Sequence, residues 1–329
     1  MTSDKLYSSI WLHRFAKLVV GATFILIFIG GLVTSTDSGL AVPDWPTTYG
    51  HFMFSFPFSQ MVGGILYEHG HRMIATVVGM LMTILAIWLW LKEPRKGVRR
   101  LGLIALLAVI LQGILGGITV LFLLPTPISV SHAALAQTFF CLTICIALFT
   151  SPKWDQLQPQ FEEAHRPSLL NLTIATTVTI YLQLILGAVM RHTKSGLAIP
   201  DFPLAFGKLI PPFTSPAIVI HFTHRVGALV VTLLIAWTAT RIIRHYLHEP
   251  KLLRPILLMV SALAVQLTFG ALTIWTQKAV LPTTAHVATG ALILGTSLVL
   301  AVRVYRLVLI PAPAHLADRI GEQAVQRTN

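Results

Sequence analysis

Residues 30–50 read GGLVTSTDSGLAVPDWPTTYG, and residues 187–207 read GAVMRHTKSGLAIPDFPLAFG. Gly39, Pro43, Asp44, Pro46 and Gly50 recur as Gly196, Pro200, Asp201, Pro203 and Gly207, each 157 positions later. A histidine–arginine pair follows each copy, His71-Arg72 and then His224-Arg225, and each half supplies one more histidine, His132 and His286. Self-similarity at a fixed offset marks an internal duplication. A duplicated unit carrying two histidines per copy predicts a duplicated binding site.

Composition sets the solvent. The 329 residues are 55% hydrophobic and 11% charged, with a mean hydropathy of +0.76. That much apolar surface predicts a chain dissolved in lipid. Eight stretches reach the length of a membrane-spanning helix: 15–33, 72–91, 101–121, 130–150, 169–190, 217–239, 255–276 and 284–302. The expected fold is an all-α polytopic membrane protein. Its two tandem four-helix bundles are related by a pseudo-twofold axis along the membrane normal. Four helices per unit is even, so both halves enter from the same side. Such a parallel repeat disfavours the transporters built on inverted repeats. The division expected is 1–150, a polar linker 151–168, 169–310, and a tail 311–329.

Charge sets the orientation. Eighteen of the 24 lysines and arginines fall at the N-terminus, in the links 92–100, 151–168 and 240–254, and in the tail. The positive-inside rule makes both termini cytoplasmic and puts the two SGLA-x-PD-x-P loops outside. The net charge of +12 is this bias spread over short loops, so no nucleic-acid partner is expected. The first span is longer than a signal-peptide core, and no Arg/Ser-rich transit segment precedes it, which points to a bacterial inner membrane. Cys141 and Cys145 are four apart on one span. They do not suit a disulfide and read as inert thiols.

His71, His132, His224 and His286 each fall near the outer end of an even-numbered span. Ionisable groups there are costly unless paired or ligating. Two histidines from facing helices can clamp a heme iron from both sides. Zinc would need more ligands than a pair supplies, whereas copper also accepts imidazole. Glycines and apolar surroundings favour a flat macrocycle. LQGILGGITV at 111–120 and VQLTFGALTI at 265–274 echo each other, and a similar phrase opens with Gln183 and runs to Gly187. Arg72 and Arg225 could pair with propionates. The copies differ three residues before the first histidine, where Glu68 precedes His71 and His221 precedes His224. A carboxylate beside one metal alone suggests one reactive site and one electron-transfer or structural site.

At these residues the chain resembles the heme A synthase family. The match rests on the duplicated unit, GGLVTSTDSGLAVPDWP, EHGHR at 68–72, His132, HFTHR at 221–225 and His286. The resemblance implies oxidation of the C8 methyl of heme O, through hydroxylated intermediates, to the formyl group of heme A for cytochrome oxidase. It implies a heme b cofactor on His224 and His286, with Arg225 beside it. The substrate heme falls on His71 and His132, with Arg72, and the catalytic carboxylate on Glu68. Handing over an insoluble product implies contact with heme O synthase or oxidase assembly factors, and the chain can also self-associate. Some members carry a cysteine pair in the first outer loop; residues 34–50 contain none, which excludes a thiol relay there. The alternative is a diheme b-type cytochrome taking electrons from quinol. A heme O-forming prenyl transferase would need clustered aspartates, which are missing here.

Overall fold

The computed structural model describes residues 3–154, 156–163 and 165–309; the expected tail 311–329 lies outside them. Eight helices among them are long and apolar enough to cross a membrane. They are α1 (Ser3–Ser35), α2 (Gly64–Lys92), α3 (Lys96–Leu121), α4 (Thr126–Phe149), α5 (Leu169–His192), α6 (Pro216–His245), α7 (Pro250–Trp275) and α8 (Val280–Leu307). Leu18, Ile25, Ile87, Leu107, Leu182, Leu229 and Leu233 are exposed. A helix satisfies its own backbone, so side chains like these can face hydrocarbon.

Helix starts follow local chemistry. Ser168 Oγ accepts from Asn171 N–H, and Ser215 Oγ accepts from Ile218 N–H just before Pro216. Both serines are N-caps, and in α6 Pro216 takes a first-turn position where no N–H is needed. Helix α1 begins twelve residues before residue 15, and α2 begins eight residues before residue 72. Polar EHGHR lowers the hydropathy there, yet the helix continues because Glu68, His69 and Arg72 all find partners. The linker is also less solvated than its composition suggests. Glu163 is 1% exposed, because it accepts from Leu169 N–H and from Arg241 (3.0 Å). Two short strands, β1 (Phe161–Glu162) and β2 (Val308–Leu309), pair in parallel and tie the linker to the end of α8.

One apolar core is drawn from α1 to α4, around Val19, Met82, Leu85, Ala105 and Ile146. A second is drawn mainly from α5 to α8, around Ile180, Ile235, Met259 and Leu294. Between them lies a third cluster of Ile27, Phe140, Ile144 and Ala291. Helix α8 is the most enclosed, two-thirds buried over its apolar window. Small residues permit this: Gly295 packs on Phe140 and Ile144 of α4, and Gly31 of α1 packs on Val287 and Thr284 of α8. Arg191 of α5 adds a polar tie, donating to the Gly31 carbonyl (3.0 Å) and to Ser35 Oγ (2.8 Å).

Cys141 and Cys145 are free thiols, both half-buried, and Cys141 packs against the α5–α8 core. Changing both to Ala is expected to leave turnover unchanged. Loss of turnover in a folded double variant, read by heme extraction, would contradict an inert role.

Candidate functional site

The four histidines sit about two turns inside α2, α4, α6 and α8, deeper than the sequence suggests. Each is half-buried and each rests on a glycine of the preceding helix. A Cβ added to Gly30 would lie 3.2 Å from His71 Cε1. The same contact would be 3.1 Å for Gly116 with His132, Gly187 with His224, and Gly270 with His286. Four ring positions are therefore set by backbone too close to admit a methyl group without a shift.

The His224 and His286 rings are 6.5 Å apart between centroids and inclined at 63°. A metal about 2 Å from one nitrogen of each ring needs centroids roughly 6–6.5 Å apart. This pair therefore has the separation that two imidazoles sharing one iron would require. In the other half, Nδ1 of His71 and Nδ1 of His132 are buried with no hydrogen-bond partner. Among the described residues no three His, Cys, Asp or Glu side chains gather as ligands for a metal ion.

The remaining candidates organise two loops, 36–63 and 193–215, which share the same arginine–carbonyl and aspartate–N–H bonds. Arg72 donates to the carbonyls of Val42 (2.9 Å), Asp44 (2.7 Å) and Thr47 (3.1 Å). Arg225 donates to those of Ile199 (3.3 Å), Asp201 (2.6 Å) and Leu204 (2.8 Å). The guanidiniums thus hold main chain, with Arg225 Nε left buried and unpartnered. Glu68 is 3% exposed; it accepts from Val42 N–H (2.8 Å) and pairs with Arg72 (2.6 Å). His221 stands in for it in the second loop, its Nδ1 accepting from Ile199 N–H at 3.2 Å. A solvated role for Glu68 is thereby excluded.

Sequence reasoning missed three participants. His69 is buried and bonds Thr48 Oγ1 through Nδ1 at 2.8 Å. Trp45 lies so close on Gly117 that any Cβ there would clash with the indole. Glutamines of α3, α5 and α7 reach the histidine rings; the repeated Gln-x-x-x-Gly phrase was their only trace in sequence.

Each loop turns on an aspartate. Asp44 accepts from the Tyr49 and Gly50 N–H groups, as Asp201 does from Phe206 and Gly207. The Asp201 carboxyl is held low by the Gly207 and Phe206 N–H groups. For Asp44, burial pushes the carboxyl up, but donors from Gly50, Thr47 and Tyr49 outweigh it and bring it to about 2, from 3.8. A depressed carboxyl stabilises the fold fully above its unfolded value, and that stability is lost as pH falls through the folded value. The melting temperature in detergent is therefore expected to drop between pH 4 and pH 2, and Asp44→Asn to show a smaller drop. An equal drop in the variant would contradict this role.

Paired imidazoles on glycine-bearing helices of a polytopic membrane bundle have the form of a site that could take a heme. Residues 13–298 match the family model COX15-CtaA, described as cytochrome oxidase assembly protein, and the chain belongs to that family. Among curated relatives, the heme A synthase of Halalkalibacterium halodurans is 29% identical over 79% of this chain and 87% of its own length. That of Shouchella clausii is 30% identical over 68% and 73%. That of Geobacillus kaustophilus is 26% identical over 96% and 98%.

Proposed function

We propose that the protein is a heme A synthase, converting heme O to heme A for cytochrome oxidase. The observation that carries this reading is the pair of facing imidazoles, His224 and His286, at iron-ligating separation, in a member of this family. In this reading α5–α8 form the half that holds heme b on His224 and His286. Helices α1–α4 form the half that takes the substrate heme on His71 and His132. Residues 151–168 link the halves on the cytoplasmic side of a bacterial inner membrane, with both termini on that side.

Heme b, when bound, supplies one-electron transfer. The chain's own residues do the rest. Gly30, Gly116, Gly187 and Gly270 set the depth of the four rings. Arg72 and Arg225 hold the two outer loops over the helix ends, which limits water at the sites. Glu68 brings a carboxylate one turn from His71, oriented by Val42 N–H and Arg72, where it can take or return a proton as the methyl group is oxidised. His221 occupies the matching place in the other half, so only one half carries that carboxylate.

The four matching histidine–glycine contacts also suit a second reading, a diheme cytochrome with two permanent hemes. Expression in a host that makes heme O, with chromatography of extracted hemes, separates the two. Heme A or its alcohol precursor is the expected result. A fixed heme with no heme A above background would favour the cytochrome.

A further inference from the structure

Three of the four histidines have a neighbour that the fourth lacks. The amide nitrogen of Gln112 lies 3.2 Å from His132 Nε2 and donates to the His132 carbonyl at 3.0 Å. That of Gln183 lies 3.1 Å from His224 Nδ1 and donates to the His224 carbonyl at 2.8 Å. That of Gln266 lies 3.3 Å from His286 Nε2, and His286 Nδ1 lies 3.1 Å from the Gln266 carbonyl. Each glutamine stands four residues before the glycine under its histidine. Four residues before Gly30 stands Leu26.

The exchange extends to a second position. Gly227 makes room for Gln183, because a Cβ there would collide with Gln183 Oε1. The matching residue of the first half is Ile74 (227 − 74 = 153, as 224 − 71 = 153). Ile74 and Leu26 pack against the same apolar core. Among the described residues the His71 ring forms no hydrogen bond, and its Nδ1 is buried without a partner.

A hydrogen bond to the nitrogen that does not ligate fixes an imidazole and strengthens it as a ligand. Gln183 at Nδ1 leaves Nε2 of His224 for iron, and Gln112 at Nε2 leaves the unpartnered Nδ1 of His132. The Gln266 main-chain carbonyl at Nδ1 backs His286, whose Nε2 the Gln266 amide would yield to iron. An amide suits this role, since it can donate to a ring nitrogen or, turned over, accept from a ring N–H. The buried Oε1 atoms of Gln112 and Gln266 have no partner of their own, so that acceptor is free.

We propose that Gln112, Gln183 and Gln266 are positioning residues for three axial ligands, and that His71, backed by Leu26 and Ile74, is the coordination position that lets go. This rests on the heme-site reading above. It makes the α5–α8 site, with both rings backed, the one that retains its heme. The α1–α4 site has one backed ring, so its heme exchanges by release from His71 while His132 holds the other face.

The test is transfer of heme from purified, hemin-loaded full-length protein to excess apomyoglobin. Two phases are expected, and the fast one should vanish in His132→Ala. Leu26→Gln with Ile74→Gly should slow the fast phase about 10–100-fold and move its ferric absorption toward low spin. Gln183→Leu should speed the slow phase by a similar factor and add a high-spin component to the retained heme. A fast phase unchanged in both His132→Ala and His71→Ala would defeat the heme-site reading itself. A fast phase that needs His132 but keeps its rate and spin state in the Leu26→Gln, Ile74→Gly variant overturns the inference alone. Should that variant fail to insert, an unchanged slow phase and spectrum in Gln183→Leu overturns it.

Discussion

Replacing His224 or His286 with Ala removes the low-spin, six-coordinate heme spectrum from purified protein, whereas replacing His71 or His132 leaves most of it. The first half of this expectation follows from distance. The two rings stand 6.5 Å apart, and losing either leaves iron with one protein ligand. Each ring is also anchored, on Gly187 or Gly270 below and on a glutamine beside. The second half follows from the proposed division between a retained heme and an exchanging one. Absorption spectra of the four variants, normalised to protein, check both halves. Equal loss in all four would end the division of labour.

Glu68→Gln makes heme A more slowly by about 10²–10⁴, the usual cost of removing one general acid–base group. The structure makes this variant informative. A glutamine oxygen can still accept from Val42 N–H, and Arg72 keeps its three carbonyl contacts. The loop should therefore stay in place, and retained heme b should be unchanged. Extracted hemes should show heme O or a hydroxylated intermediate accumulating. Near-parental heme A would reduce Glu68 to a loop fastener, the part His221 plays in the second half. Loss of heme b along with activity would instead mark damage to the fold.

Much of this was legible in the residues. The repeat, the spans and the four histidines are visible because hydropathy and identity at a fixed offset are properties of sequence alone. Other features are not. The start of α2 was hidden because Glu68, His69 and Arg72 look like the end of a span until their partners in the loop are known. The enclosure of α8 was hidden because its composition resembles that of its neighbours; only packing shows that Gly295 and Ala291 face α4 and α1 rather than lipid. The role of the glutamines was hidden, since nothing in a sequence says which face of α3, α5 or α7 meets a histidine. Arg72 and Arg225, read as propionate partners, also hold loop carbonyls, contacts that no sequence displays.

Those carbonyl contacts carry a consequence for how the two loops have diverged. Arg72 and Arg225 grip main-chain oxygens, and Asp44 and Asp201 grip main-chain N–H groups. Such a fastening is blind to side-chain identity. Valine has become isoleucine, tryptophan phenylalanine and threonine leucine between Val42 and Ile199, Trp45 and Phe202, and Thr47 and Leu204, yet every bond in the set is kept. Shape is inherited through four charged residues while the surface they hold in place is left free to specialise. After duplication, the two copies could therefore meet different molecules without either having to be refolded.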